Sequence, residues 1–232
     1  MLRLYTHPAC LQHAPGPGHP ERPERLRAVL RALDRDRFSA IDRVEAPRAT
    51  GEQLRRVHAA RHVEHILACT PAAGDSCRLD EDTVMSSGSA EAALRAAGAV
   101  VAAVDAVLGG TTRHAFCAVR PPGHHATGSQ AMGFCLFNNI AVAAAHALAA
   151  HGLQRVAIAD FDVHHGNGTQ AIFERDPRVL FASSHQSPLY PGSGGEDEHG
   201  VGNIVNATLP AGAGSHEFRE LWDGVLWARV GA

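Results

Sequence analysis

The chain has 232 residues, 45% of them hydrophobic and 19% charged, and a formal net charge of -3. That is the composition of a globular chain with one substantial core, and the length fits one large domain better than two small ones. The near-neutral balance excludes the broad electrostatic footprint of a nucleic-acid or acidic-membrane binder.

Arg22, Arg25, Arg27 and Arg31 read as one solvated helix face. The five cysteines, Cys10, Cys69, Cys77, Cys117 and Cys135, are odd in number and scattered, with no C-x-x-C pair. This argues against a disulfide framework and against a structural zinc finger. The opening residues show no charged segment followed by a long apolar run, so no secretory signal is expected. The most apolar stretches, 96–108 and 140–150, are interrupted by Asp105 and His146 and are too short to cross a bilayer. A cytoplasmic location is the expectation.

In chain order, Leu2–Thr6 reads as a strand and 7–22 as a loop rich in His, Pro and Gly. Pro23 suits the first turn of a helix reaching about Asp36. A short strand is expected over 41–46. Thr50, followed three residues later by Gln53, has the spacing of a capping box that opens a helical region. Residues 71–79 read as loop. The longest helix is expected over 89–108, where Ala93, Ala97, Val100, Val101, Val104 and Leu108 share one face and Gly109 and Gly110 end it. A strand over 114–119 then leads into a long loop, 120–134. Asn138 or Asn139 caps a helix to Ala150, closed by Gly152. The apolar strand 155–162 is followed by a glycine loop and a short helix, 169–175. Residues 178–183 and Ile204–Leu209 read as strands separated by a long loop, and Ser215 as the cap of a last helix. Strands alternating with helices imply an α/β fold: a mainly parallel sheet with helices on both faces. The polar loops 120–134, 162–168 and 185–203 each follow a strand and should meet at the carboxyl rim, where such sheets bind ligands.

The strongest chemical signal is the run from Ala159 through Asp160, Phe161, Asp162, Val163, His164, His165, Gly166 and Asn167 to Gly168. Side chains alternate along a strand, which would put Asp160, Asp162 and His164 on one side. Two carboxylates and an imidazole on a buried strand are costly without a partner, and a divalent cation satisfies all three. A hydrogen-bonded strand end would explain Asp-x-Asp alone, but not the longer run closing an apolar strand. The second segment is Arg120, Pro121, Pro122, Gly123, His124, His125 and Ala126. Adjacent histidines on a proline-stiffened loop can face one cavity, and each then needs an acceptor on its other ring nitrogen. Asp160 and Asn167 are candidates for that role. Together the set reads as metal-assisted hydrolysis with a histidine moving the proton, and no serine or cysteine nucleophile is needed.

At these residues the chain resembles the histone deacetylase superfamily, including bacterial acetylpolyamine amidohydrolases and acetoin-utilization proteins. The resemblance also runs through 16–26, 133–139, Tyr190 to Gly192 and 198–203. The Pro-Pro-Gly-His-His form, and Asn167 where other members have Asp, are similar to the class II branch. The resemblance implies zinc held by Asp162 and His164. It implies His124 and His125 as the paired histidines, with His125 as general base and acid. Asp160 would orient His124, and Asn167 would orient His125. Gly133 and Phe134 would line a narrow substrate channel across from Tyr190. Oxygens around Asp160, Asp162, His164 and Ser183 would hold a structural potassium ion.

The implied activity is removal of acetyl groups from acetylated amines, either acetyl-lysine or acetylpolyamines. The resemblance further implies a third metal ligand and an oxyanion-stabilising tyrosine or histidine downstream. Neither motif is present, so the expectation is one deacetylase-like domain over 1–232, incomplete at its C-terminus, with a truncated, catalytically impaired protein as one alternative. A binuclear manganese hydrolase of the arginase kind would need further bridging carboxylates that the sequence does not offer. A non-catalytic, partner-binding remnant is the other alternative. Oligomeric state is not readable.

Overall fold

The computed structural model describes residues 2–231, which divide into two compact units, one ending at His151 and the other beginning at Gly152.

The first unit is built on a three-stranded parallel sheet of β1 (Leu2–Thr6), β2 (Asp42–Glu45) and β5 (His114–Cys117), in the order β2-β1-β5. Alternation along β1 sends neighbours to opposite layers. Leu4 packs with Cys10, Leu26 and Ala118. Tyr5 packs with Ala46, Ala99 and Ala106. One face is therefore covered by α1 (Pro23–Leu33) and the other by α4 (Ser89–Leu108). The alanine-rich face of α4 allows close approach, and Gly98 sets its limit. A Cβ at Gly98 would lie 2.0 Å from the Pro47 carbonyl oxygen.

The capping box forms as expected at Thr50, opening α2 (Gly51–Arg55), and α3 (Ala60–Ala68) follows. Asn138, not Asn139, caps α5 (Asn139–His151), its Oδ1 accepting from the Ala141 N–H at 3.1 Å.

The segment read as loop over 71–79 contains β3 (Cys77–Arg78), which pairs antiparallel with β4 (Val84–Met85). A disulfide also joins Cys69, just after α3, to Cys77. The odd count and the absence of C-x-x-C hid it, because a single staple between two near-neighbours leaves no framework pattern.

The second unit is a parallel sheet of β6 (Val156–Asp160), β7 (Val179–Gln186) and β8 (Ile204–Leu209), with β7 central. Ala182 and Ala207 pack against Trp222 and Leu226, and Trp222 Nε1 donates to Ser184 Oγ at 2.9 Å. The opposite face carries Phe181, Ser183 and His185, facing His165 and the helix α6 (Asn167–Phe173). After β8, α7 (Ser215–Leu221) passes through a π-turn, Trp222–Leu226, into α8 (Trp227–Val230). Gly214, not Ser215, occupies the cap position of α7, and its N–H donates to Glu217 Oε2 at 2.8 Å. Both units thus have the expected α/β architecture of parallel strands and covering helices. Among the described residues, no helix is long and apolar enough to cross a membrane.

Candidate active site

In the first unit, His124 and His125 lie on the loop after β5 with their rings 4.0 Å apart. His125 is buried at 5% exposure, and Gly133 lies against its ring. A Cβ at Gly133 would sit 2.4 Å from His125 Cδ2, so the ring occupies the space that only glycine leaves open. Gly133 and Phe134 both have positive φ, 56° and 70°. They are the central residues of a turn closed by reciprocal backbone bonds between Met132 and Cys135 at 3.2 and 2.9 Å. That matches a type I′ turn, which asks for left-handed backbone at both central positions. A left-handed Phe costs about 1–2 kcal/mol, which the surroundings must offset. The Phe134 N–H donates to Thr83 Oγ1 at 3.0 Å, and the His19 ring stands edge-on to Phe134 at 5.0 Å.

The paired-histidine loop is clamped at both ends. At its start, Arg120 is buried and donates through Nε to Glu21 Oε1 at 2.6 Å. It also donates through Nη1 and Nη2 to the carbonyls of Cys10 and His13 at 2.8 and 2.9 Å. Beyond the histidines, Asn138 Nδ2 donates to the Ala126 carbonyl at 3.0 Å. His58 accepts the Asn138 N–H at Nε2 and so donates from Nδ1 to the Thr127 carbonyl. Burial holds His58 well below the usual imidazole range, at about 4, helped by its neighbour His62. Sequence reading missed Glu21, His58, Thr83 and Asn138 as supports of this loop. The Gly-His-Pro-Glu run was the one visible signal for Glu21.

In the second unit, β6 ends at Asp160, earlier than the expected Asp162. Asp162 and His164 lie in the bend beyond it, so alternation along a strand does not place them. Their side chains are 49% and 39% exposed, so the argument from burying three charged groups on a strand also falls. A local turn brings them together instead. Asp160 Oδ1 accepts the Asp162 N–H at 3.1 Å, and Asp162 Oδ1 accepts the His164 N–H at 2.8 Å. His164 Nδ1 then lies 3.1 Å from Asp162 Oδ1. One carboxylate oxygen and one imidazole nitrogen at that separation suit two ligands of a single zinc ion, whose bonds run about 2.0–2.2 Å. Tyr190 stands edge-on to His164 at 6.1 Å between ring centres. Asn167 begins α6, and Asp160 pairs in register with the buried Ser183.

Behind this bend lies a polar network that sequence reading did not foresee. Glu198 Oε1 accepts the N–H groups of Gly194 and Gly195 at 3.0 and 2.9 Å. Glu198 Oε2 accepts from Gln170 Nε2, which fixes the amide so that Gln170 Oε1 accepts from His165 Nε2 at 2.9 Å. His165 therefore takes Ser193 as a donor at Nδ1. Burial, then the adjacent His185, pushes His165 down to about 4, so it is neutral in the folded protein.

Parallel α/β units with paired histidines on one post-strand loop and an Asp-x-Asp-x-His bend on another define the deacetylase- and arginase-like class of folds. The chain belongs to the histone deacetylase domain family, which matches residues 19–230. It is 42% identical over 234 residues to a histone deacetylase-like amidohydrolase of Pseudomonas aeruginosa, covering 91% of this chain and 61% of that protein. It is 38% identical to a probable deacetylase of Archaeoglobus fulgidus, covering 96% of this chain and 63% of that protein. The crystal structure of the HDA15 HD domain superposes with a TM-score of 0.90 at 35% identity, covering 97% of this chain and 66% of that one. The chain thus spans somewhat over three fifths of the length of these two curated relatives.

Proposed function

We propose that this chain carries the acid–base and metal-binding residues of a zinc-dependent amidohydrolase. Its substrates are acetylated amines, acetyl-lysine in proteins or acetylpolyamines, and it acts in the cytoplasm. The observation that carries the reading is the convergence of Asp162 Oδ1 and His164 Nδ1 at 3.1 Å. A carboxylate and an imidazole are two of the three protein ligands that a catalytic zinc site uses. When bound, the metal supplies Lewis acidity toward a carbonyl and toward water.

The rest is the work of the chain's own residues. His125, fixed against Gly133, accepts the proton of the attacking water at a ring nitrogen and returns it to the leaving amine. His124, beside it, hydrogen-bonds the same water. Asp160 and Asn167 would serve as the orienting acceptors that fix the tautomers of the two rings. Gly133, Phe134 and Tyr190 would line the substrate channel, and oxygens around Asp160, Asp162, His164 and Ser183 would hold a potassium ion.

The test is zinc content and turnover of acetyl-lysine and acetylspermidine, measured on this chain and on a form as long as its relatives. Zinc-dependent release of acetate by the longer form is the expected result, and no turnover on either substrate would overturn the reading. In that form, His125→Ala should abolish turnover and leave zinc content nearly unchanged. Loss of zinc instead would show that His125 has been given the wrong role.

A further inference from the structure

The two residues that interrupt the apolar runs of α4 and α5 meet. Asp105, on the last turn of α4, lies with its Oδ1 2.7 Å from His146 Nε2 and 2.7 Å from His151 Nε2, both on α5. These three atoms all lie within 4.8 Å of one another. We propose that Asp105, His146 and His151 form a second metal site, for a borderline divalent cation of the zinc class, joining α4 to α5.

The donor chemistry supports this. Two imidazole nitrogens and one carboxylate oxygen suit zinc and its first-row neighbours rather than magnesium or calcium. Both rings aim the same nitrogen at the same point. Asp105 is 52% exposed and His151 26%, whereas His146 is 7% exposed, so the site has a buried floor and an open side where water can complete the shell. Ligand atoms of a tetrahedral zinc stand about 3.3 Å apart. The carboxylate therefore has to draw back by roughly half an ångström, which its exposure permits.

Arg56 sets the condition for binding. Its Nη1 lies 2.5 Å from His146 Nδ1, and its Nη2 donates to Glu52 Oε1 at 3.2 Å. A guanidinium only donates, so it holds His146 as the tautomer with its proton on Nε2, the atom a metal must take. When the ion binds, that proton moves through solvent to Nδ1 and Arg56 withdraws toward Glu52. No net proton is released from a neutral ring. Arg56 thus competes with the metal, which a simple hydrogen-bonded triad would not require.

The experiment uses the 232-residue chain carrying Asp162→Asn and His164→Gln, so that the other candidate zinc donors are removed. Zinc binding is measured by equilibrium dialysis at micromolar free zinc, with far-UV circular dichroism to verify folding. One equivalent should be retained, and zinc should raise the melting temperature. Asp105→Asn and His151→Gln should each weaken binding about tenfold or more, because each removes one of three ligands. Arg56→Gln should tighten it. Retention of no zinc, indifference to His151→Gln in a folded chain, or weaker binding by Arg56→Gln would each overturn the proposal. As a check that needs no change at the site, cobalt should shift and broaden the ring protons of His146 and His151 in NMR spectra, and unaffected ring signals would refute it.

Discussion

Replacing Glu21 by Gln should cost the fold about 3 kcal/mol, because it leaves a buried guanidinium without its counter-charge. The Glu21 side chain is fully buried and that of Arg120 is 6% exposed. Glu21 takes Arg120 at 2.6 Å and Arg25 at 2.5 Å. Burial lowers the pKa of Arg120, yet a guanidinium stays charged in proteins. Removing one partner of such a pair costs about 3–5 kcal/mol, and the glutamine amide, which keeps one acceptor, brings this to roughly 2–4. Against a total stability of about 5–15 kcal/mol this is a large fraction, and it corresponds to a fall in melting temperature of about 10 °C. Urea titration followed by circular dichroism measures it. The double variant Glu21→Met, Arg120→Met should be more stable than Glu21→Gln alone, since it removes both charges from the interior. A single-variant cost below about 1 kcal/mol, or a double variant no better than the sum of the singles, would refute the reasoning.

Three further outcomes are expected. Gly133→Ala should fold but lose about 100-fold in turnover of the longer form, because its methyl displaces the His125 ring by ångström-scale distances; unchanged kcat would show that this contact does not position the histidine. Burial holds His13 at about 3 and His58 at about 4, below their unfolded value of 6.5, so the unfolded chain binds more protons as pH falls below that value. Stability is therefore full above pH ~6.5 and declines by about 2 kcal/mol per histidine by pH 5; denaturation midpoints that stay flat over this window would contradict the burial argument. Replacing Cys69 and Cys77 by Ser opens a loop of 8 residues' separation and should cost about 2.5 kcal/mol on chain-entropy grounds. Reductant should have the same effect on the parent's melting temperature and none on the variant's.

The elements were legible where periodicity is long or capping chemistry is local. Helix α4 ends where its glycines begin, and Thr50 and Gln53 form the expected box. The paired histidines and the Asp-x-Asp-x-His run stand out in the sequence as motifs, but strand alternation does not account for the geometry of the second. A strand period extended two residues too far assigns a face to Asp162 that the backbone, bending after Asp160, does not provide. The supports were not legible because they act across long separations. Nothing near Arg120 announces Glu21, 99 residues away, and nothing near Asp105 announces His146, 41 away. The left-handed Phe134 was hidden for another reason: its conformation is imposed by a turn that local propensity opposes.

The two faces of β7 differ in kind, and this bears on how the second unit chooses its strand pairing. Ala182 and Ser184 look toward Trp222 and Leu226, while Ser183 and His185 look toward the Glu198–Gln170–His165 relay. Most sheets with two covered faces present grease to both, and a shift of one residue between neighbouring strands then exchanges one apolar set for another at modest cost. Here the same slip would press His185 and Asn206 into the tryptophan layer and leave the relay facing alanines. Each misplaced polar group would forfeit its partners at about 1–3 kcal/mol. The hydrogen-bonded side of the sheet therefore acts as a checking device during folding: it rejects misaligned strands that an oily interior would tolerate.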